Sequence, residues 1–263
     1  MTKNKFGLFL FPWLICAQLY SWNPKYTEPI SSIKKPKGFV EVGTSKFGTW
    51  IRSLPLLPQG SPVLLYSGKE KPNQTLHTAV LDIDVGKTNL QQCADAVIRL
   101  RAEYLYATKR YSDIQFNFTS GHTFSFVDWL KGHTPVVQGN HVSFPLRNKR
   151  KNVYSSFKRY LTYMFMYAGT YSLKKELEPV KNIYSIRIGD VFIQGGFPGH
   201  AMMVVDVVEK GAEKQFLLAQ SYMPAQSIHI VKNPNASGPW YTLSDTILTP
   251  EWKFTSSDLY RFK

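Results

Sequence analysis

The chain has 263 residues, 43% of them hydrophobic and 19% charged, with 32 Lys and Arg against 18 Asp and Glu and a net charge of +14. This balance excludes an intrinsically disordered chain, and 17 Gly with 16 Pro exclude a collagen-like or linker-dominated one. The length suits one large domain or two small ones, and no repeat at a solenoid period divides it.

Lys3 and Lys5 precede an apolar run from Phe6 to Leu19 that is too short, and broken by Pro12, to span a bilayer. Residues 1–17 therefore read as a secretory signal, cleaved after Ala17; lipidation at Cys16 would require a small residue where Ile15 stands. Losing Lys3 and Lys5 leaves 30 basic against 18 acidic side chains, a charge of +12. Such a surface draws acidic partners, which outside the cytoplasm are anionic glycans, cell-wall polymers or lipid headgroups rather than nucleic acid. The expected location is the periplasm or cell envelope, as a monomer, touching the membrane only if lipidated. Residues 18–45 mix Pro, Lys and Ser without a period and suit an extended arm leading into a single domain over 46–263.

Within that domain FGTWIRSL predicts a short helix or turn, and PVLLY and HTAVLDIDV predict two strands. Gly86-Lys87-Thr88 resembles the end of a phosphate loop, but Leu81 stands where that loop needs glycine, so no nucleotide cofactor is expected. Residues 89–106 give the clearest helix, capped by Asn89, with an apolar stripe through Cys93, Val97, Leu100 and Tyr104. Asp95, Arg99 and Glu103 share another face, Asp95 and Arg99 being the expected ion pair. Residues 111–144 read as short strands and loops, and Arg147 to Lys151 as a solvated basic loop. A second helix is predicted over 155–177, weakest near Gly169. After Pro179 the period becomes two, giving successive strands with a hairpin turn at Lys210 to Ala212. Helices ahead of a mostly antiparallel sheet define an α+β class.

Cys93 is the one cysteine left after the signal, so no internal disulfide can form. In the first turn of a helix, amide N–H groups and the macrodipole favour a thiolate; the same position also suits a small buried hydrophobe. His200 opens a strand after the turn Gly195-Gly196-Phe197-Pro198-Gly199, where an imidazole is well placed to act as a base. His77, His122, His133, His141 and His229 are the alternatives, none at metal-ligand spacing, so no metal is expected. Trp50, Trp129 and Trp240 supply either sugar-stacking surface or core.

QQCADAV, followed later by GDVFIQGG and GHAMMVVDVV, resembles the NlpC-type branch of the papain-like thiol hydrolases and its amidase relatives, which cut peptide or amide bonds in bacterial cell wall. The resemblance implies a papain-like α+β fold with the nucleophile helix packed on the sheet, Cys93 as nucleophile and His200 as base, with a third polar residue on the next strand orienting the imidazole. It also implies cell-wall peptide as substrate. Strand parity places Met202, Val204 and Asp206 on the face of His200. A hairpin pairing even with even residues brings Gln220 and Tyr222 beside it; a register one residue off brings Ser221. Gln220, whose amide oxygen can accept from the imidazole, is the preferred orienter. Gln91 or Gln92, with the Cys93 N–H, could bind an oxyanion, and Asp190 reads as a turn cap. Across nearly the whole mature chain FGTWIRSLPL, LQQCADAVIRLRAEYLY and LLAQSYMPAQSIHIVKNP resemble an uncharacterised family of exported bacterial proteins, a domain of unknown function. A non-catalytic envelope protein holding an anionic glycan or protein partner on the same frame is the alternative function.

Overall fold

The computed structural model describes residues 28–139 and 141–263; the expected signal at 1–17 and the start of the expected arm, 18–27, lie outside the described residues. Nine strands form the main sheet: β1 (Val40–Glu41), β2 (His77–Val80), β3 (Glu178–Pro179), β4 (Val191–Gln194), β5 (His200–Lys210), β6 (Glu213–Gln220), β7 (His229–Val231), β8 (Tyr241–Thr242) and β9 (Leu259–Arg261). They run in the order β2-β7-β6-β5-β4-β9-β3, with β1 added to the far end of β5 and β8 to β6. Every pairing is antiparallel. Among the described residues five α-helices accompany them: α1 (Lys46–Arg52), α2 (Cys93–Ala107), α3 (Phe126–Lys131), α4 (Tyr154–Tyr167) and α5 (Thr170–Glu176). The class is α+β with a mostly antiparallel sheet.

Strand β5 reads HAMMVVDVVEK and is buried from His200 to Val208. Such an unbroken apolar run marks a strand covered on both faces, and α1 and α2 both pack on it. Its one buried carboxylate, Asp206, is held by Arg52 of α1: Nε donates to Oδ1 at 2.6 Å, while Nη2 and Nη1 donate to the Val207 and Val42 carbonyls at 2.7 and 2.9 Å. Burial pushes the Asp206 carboxyl upward and Arg52 opposes that shift.

The β5–β6 hairpin turns at Gly211 as expected, but its register is not uniform. Asp206 pairs with Leu217 and Val204 with Leu218, so Val205 is an extra residue in a bulge. One consequence corrects the parity argument. On the open-end side of the bulge even pairs with even, whereas Asp206 falls on the face opposite to that of Val204 and His200.

Helix α2 begins later than predicted. The Asp95 carboxylate accepts the Gln92 N–H at 3.0 Å, which makes Gln92 the cap and Cys93 the first helical residue. Asn89, the expected cap, instead accepts the Ala225 N–H at 2.7 Å and so ties the helix entrance to the loop after β6. Asp95, Arg99 and Glu103 are buried, because α4 covers that face; Arg99 pairs at 2.6 Å with Glu103, not with Asp95. The predicted second helix divides at Ala168 and Gly169 into α4 and α5.

Three small hairpins lie outside the sheet, at 115–117 with 123–125, 136–138 with 141–143, and 246–248 with 253–255. Helix α3, unforeseen in the loop-like stretch, is capped by Ser125 and closed by Gly132 at φ 118°, where a Cβ would meet the Arg147 carbonyl. In the basic loop that follows, Arg150 stacks 3.7 Å above the Trp129 ring rather than being solvated. PVLLY forms only isolated bridges at Leu64 and Leu65 instead of a strand. The described part of the expected arm docks on the domain: Ile30 is fully buried, its N–H reaches the Leu54 carbonyl at 3.0 Å, and β1 pairs with β5. One hydrophobic cluster runs from Ile30 to Leu259 and includes Trp50, Trp129 and Trp240. Among the described residues no helix is long and apolar enough to cross a membrane.

Removing one partner of a buried ion pair strands the other charge, at a cost of about 3–5 kcal/mol, whereas replacing both by apolar groups is close to neutral. Arg52→Met is expected to lower stability by about that much in chemical denaturation, and Arg52→Met with Asp206→Leu to recover most of it. Equal losses in the single and double variants would mean that the pair does not govern the α1–β5 contact.

Candidate active site around Cys93

Three elements meet at the N-terminus of α2. Cys93 lines a cleft of about 290 Å³ together with Gln92, Asp95, Thr170 of α5, the Gly196 to Gly199 turn and Met223. On the inner side of that turn β5 begins, and His200 is only 1% exposed. The backbone N–H of Ala201, the residue after His200, acts with those of Cys93 and Ala94 to lower the Cys93 thiol pKa. Helix and strand are thus joined at the point where nucleophile and base were expected. Among the described residues no hydrogen bond joins the sulfur to the imidazole.

The imidazole is fixed from its other side. His200 Nε2 lies 2.7 Å from Gln220 Oε1, while Gln220 Nε2 donates to Glu251 Oε2 at 2.8 Å and lies 3.4 Å from His229 Nε2. Because a carboxylate can only accept, Glu251 sets the amide with its NH₂ outward and its oxygen toward His200. His200 then carries its proton on Nε2, and Nδ1 keeps the lone pair. Lys71 in turn binds both Glu251 oxygens, at 2.6 and 2.7 Å. Tyr222 and Trp252 close around the imidazole, with ring centroids 4.9 and 5.3 Å away.

Of the three candidates for the third residue, Gln220 is the partner of the imidazole. The Ser221 hydroxyl instead lies 2.8 Å from the Gln91 and Gln226 carbonyls, and Tyr222 contributes its ring. Even-with-even pairing near Val204 and Leu218 produces this arrangement. Of the two glutamines before Cys93, Gln92 lines the cleft, whereas Gln91 is buried with its Oε1 accepting from Arg99 at 2.7 Å. Asp190 accepts the Arg187 N–H at 2.8 Å, as a turn cap does, and also pairs with Arg261. Sequence reasoning missed Glu251, Lys71 and Trp252, since their distance along the chain from His200 leaves no local pattern. Among the described residues no group of three or more His, Cys, Asp or Glu is placed to hold a metal ion.

The electrostatics reverse one expectation. Burial, reinforced by the nearby Asp95 carboxyl, pushes the Cys93 thiol up to about 11, and the three backbone N–H groups only partly offset this. The helix start therefore does not yield a low-pKa thiol, because desolvation outweighs the amide field. Burial also pushes His200 down to about 4, against the opposing Gln220 bond, and His229 down to about 3. At neutral pH the pair is a thiol and a neutral imidazole.

Two pH effects follow. Iodoacetamide labelling of folded Cys93 is expected to stay slow through pH 8.5 and to climb toward pH 11, while the unfolded protein labels with a midpoint near 8.5; a folded midpoint below 8.5 would contradict the thiol's environment. The histidines act at the other end. Their folded pKa values lie below the unfolded value of about 6.5, so the stability they contribute is complete above that pH and is lost as pH falls toward about 4 and 3. His229→Gln is expected to flatten this acid limb in thermal melts at pH 3–6.5; an unchanged slope would show that His229 does not take up a proton on unfolding.

Comparison with known families gives a match to a domain of unknown function, DUF4846, over residues 30–261. No curated protein and no solved structure matches the chain.

Proposed function

The chain belongs to the DUF4846 family, and from the arrangement at the start of α2 we propose that it is an exported thiol hydrolase or amidase with a papain-like frame, acting on amide bonds of cell-wall peptide in the periplasm or envelope. The observation that carries this reading is the His200–Gln220 bond, held in one orientation by Glu251, beside a cleft that contains Cys93. A structural histidine needs only a satisfied ring; an amide locked by a carboxylate so that Nδ1 keeps the lone pair is the orienting support a general base requires.

In the proposed reaction His200 Nδ1 takes the thiol proton as the sulfur bonds to the substrate carbonyl carbon, and the carbonyl oxygen becomes an oxyanion. Starting from a neutral pair, proton transfer and carbon–sulfur bond formation proceed together, as in hydroxyl nucleophile enzymes. Backbone N–H groups at the start of α2, with the Gln92 amide at the cleft, are the oxyanion donors. The imidazolium then gives its proton to the leaving nitrogen as the C–N bond breaks, leaving an acyl thioester. Water attacks this thioester, losing a proton to Nδ1, and that proton returns to the sulfur as the acid departs. No cofactor or metal enters these steps.

Incubation with purified cell-wall muropeptides, followed by mass spectrometry of the fragments, tests the reading. Cleavage is expected for the wild type, a loss of at least about 10³-fold for Cys93→Ala, and about 10²-fold for His200→Ala and Gln220→Ala. Full activity in Cys93→Ala would remove the thiol from the mechanism. A second reading, a non-catalytic envelope-binding protein on the same frame, is favoured by the thiol's 8% exposure and raised pKa. It expects no cleavage by the wild type and no labelling of Cys93 until the protein unfolds.

A further inference from the structure

Two turns beyond Cys93 on α2, about 12 Å along the helix axis, the guanidinium of Arg101 sits between the rings of Phe47 and Phe262, its carbon 5.0 and 5.1 Å from their centroids. It contrasts with Arg99, which is engaged by Glu103, Asp84, Gln91 and Tyr154. Among the described residues no carboxylate lies within ion-pair distance of Arg101. Burial, with Arg110 beside it, holds its pKa below the usual arginine range, and Tyr104 and the Asp113 carboxylate only partly oppose this.

Two adjoining clefts share Arg101, Arg110 and Lys263 in their walls. One, of about 320 Å³, adds Lys46 and Arg187; the other, of about 490 Å³, adds Lys175. The acidic groups in these walls are already engaged. Asp190 is held by Arg261 and the Arg187 N–H, and Asp113 by Arg110. Glu176 accepts the Asn117 N–H and is pushed by burial up to about 7. With Arg110 and Arg261 spent on these acids, Arg101, Lys46, Arg187, Lys175 and Lys263 keep the groove positive, and one guanidinium is held against aromatic rings so that little side-chain freedom is lost when it binds.

We propose that the groove around Arg101 binds oxyanion groups, phosphate or carboxylate, borne in series on an anionic polymer. Arginine presents paired N–H donors to either group, and the neighbouring lysines add attraction that salt weakens. The site is separate from the Cys93 cleft and does not depend on thiol chemistry, so it holds whether or not the protein is a hydrolase.

Fluorescence anisotropy at low and moderate salt, with labelled polyphosphate and labelled poly-L-glutamate as probes, tests it. At least one probe is expected to bind the wild type, with affinity falling as salt rises, and which one binds identifies the oxyanion; binding of neither overturns the proposal. Arg101→Gln is expected to raise Kd at least tenfold. Lys149→Gln with Lys151→Gln, both exposed in the loop before α4, removes more charge elsewhere and is expected to change Kd less than twofold. Equal weakening in these two variants overturns the proposal in favour of diffuse net charge. Should Arg101→Gln fail to fold, Lys46→Gln with Lys263→Gln, both exposed, takes its place with an expected three- to tenfold rise, and an unchanged Kd counts against the groove. Cys93→Ala is expected to bind as the wild type does, which separates this site from the hydrolase reading.

Discussion

Burial of β5 on both faces is the constraint from which the rest of the fold follows. A strand covered on one side can alternate polar with apolar residues, but one covered on both sides has to be apolar throughout, and His200 to Val208 is nearly so. The two polar exceptions each require a dedicated partner. Asp206 obtains Arg52, which fixes α1 and, through the Val42 carbonyl, the chain leading from β1. His200 obtains Gln220, which draws in Glu251 and Lys71 from segments far away in sequence. An unpaired polar group at either place would cost free energy comparable with a large part of a domain's total stability.

The same burial shapes the chemistry available at Cys93. A helix N-terminus and three amide N–H groups act to lower the thiol pKa, yet removal from water acts more strongly in the other direction, and the imidazole is displaced the opposite way for the same reason. A preformed thiolate–imidazolium pair is therefore disfavoured in the resting site. What the fold supplies instead is orientation: the amide of Gln220, held by Glu251, decides which imidazole nitrogen carries the proton. That orientation places the proton on Nε2 and leaves the lone pair on Nδ1.

Charge is distributed unevenly over the molecule. Around Arg99 the buried Glu103 carboxylate and the exposed Asp84 carboxylate together balance the buried guanidinium. Two residues along the same helix, Arg101 lies on the side facing Phe47 and Phe262, where aromatic faces stand in for acids and leave the cation's edge available. The difference between a structural and an available arginine is set by helical rotation and by which neighbours each meets.

The sequence by itself determined the elements whose signal is local. The period-two strands after Pro179, the turn at Gly211, the weak point at Gly169 and the placing of Cys93 at a helix start follow from side-chain periodicity and backbone preference, which act over a few residues. It also singled out His200, from the glycine-rich turn before it, and Gln220, because strand parity carries information from one strand to the next. Only the tertiary structure decided what depends on contacts between distant segments. The bulge at Val205 moved Asp206 to the other face, Asp95 left Arg99 for the Gln92 N–H, and Glu251 entered from a hairpin some thirty residues beyond Gln220. The thiol's pKa belongs to the same group, since desolvation is a property of everything packed around an atom and not of its position in a helix.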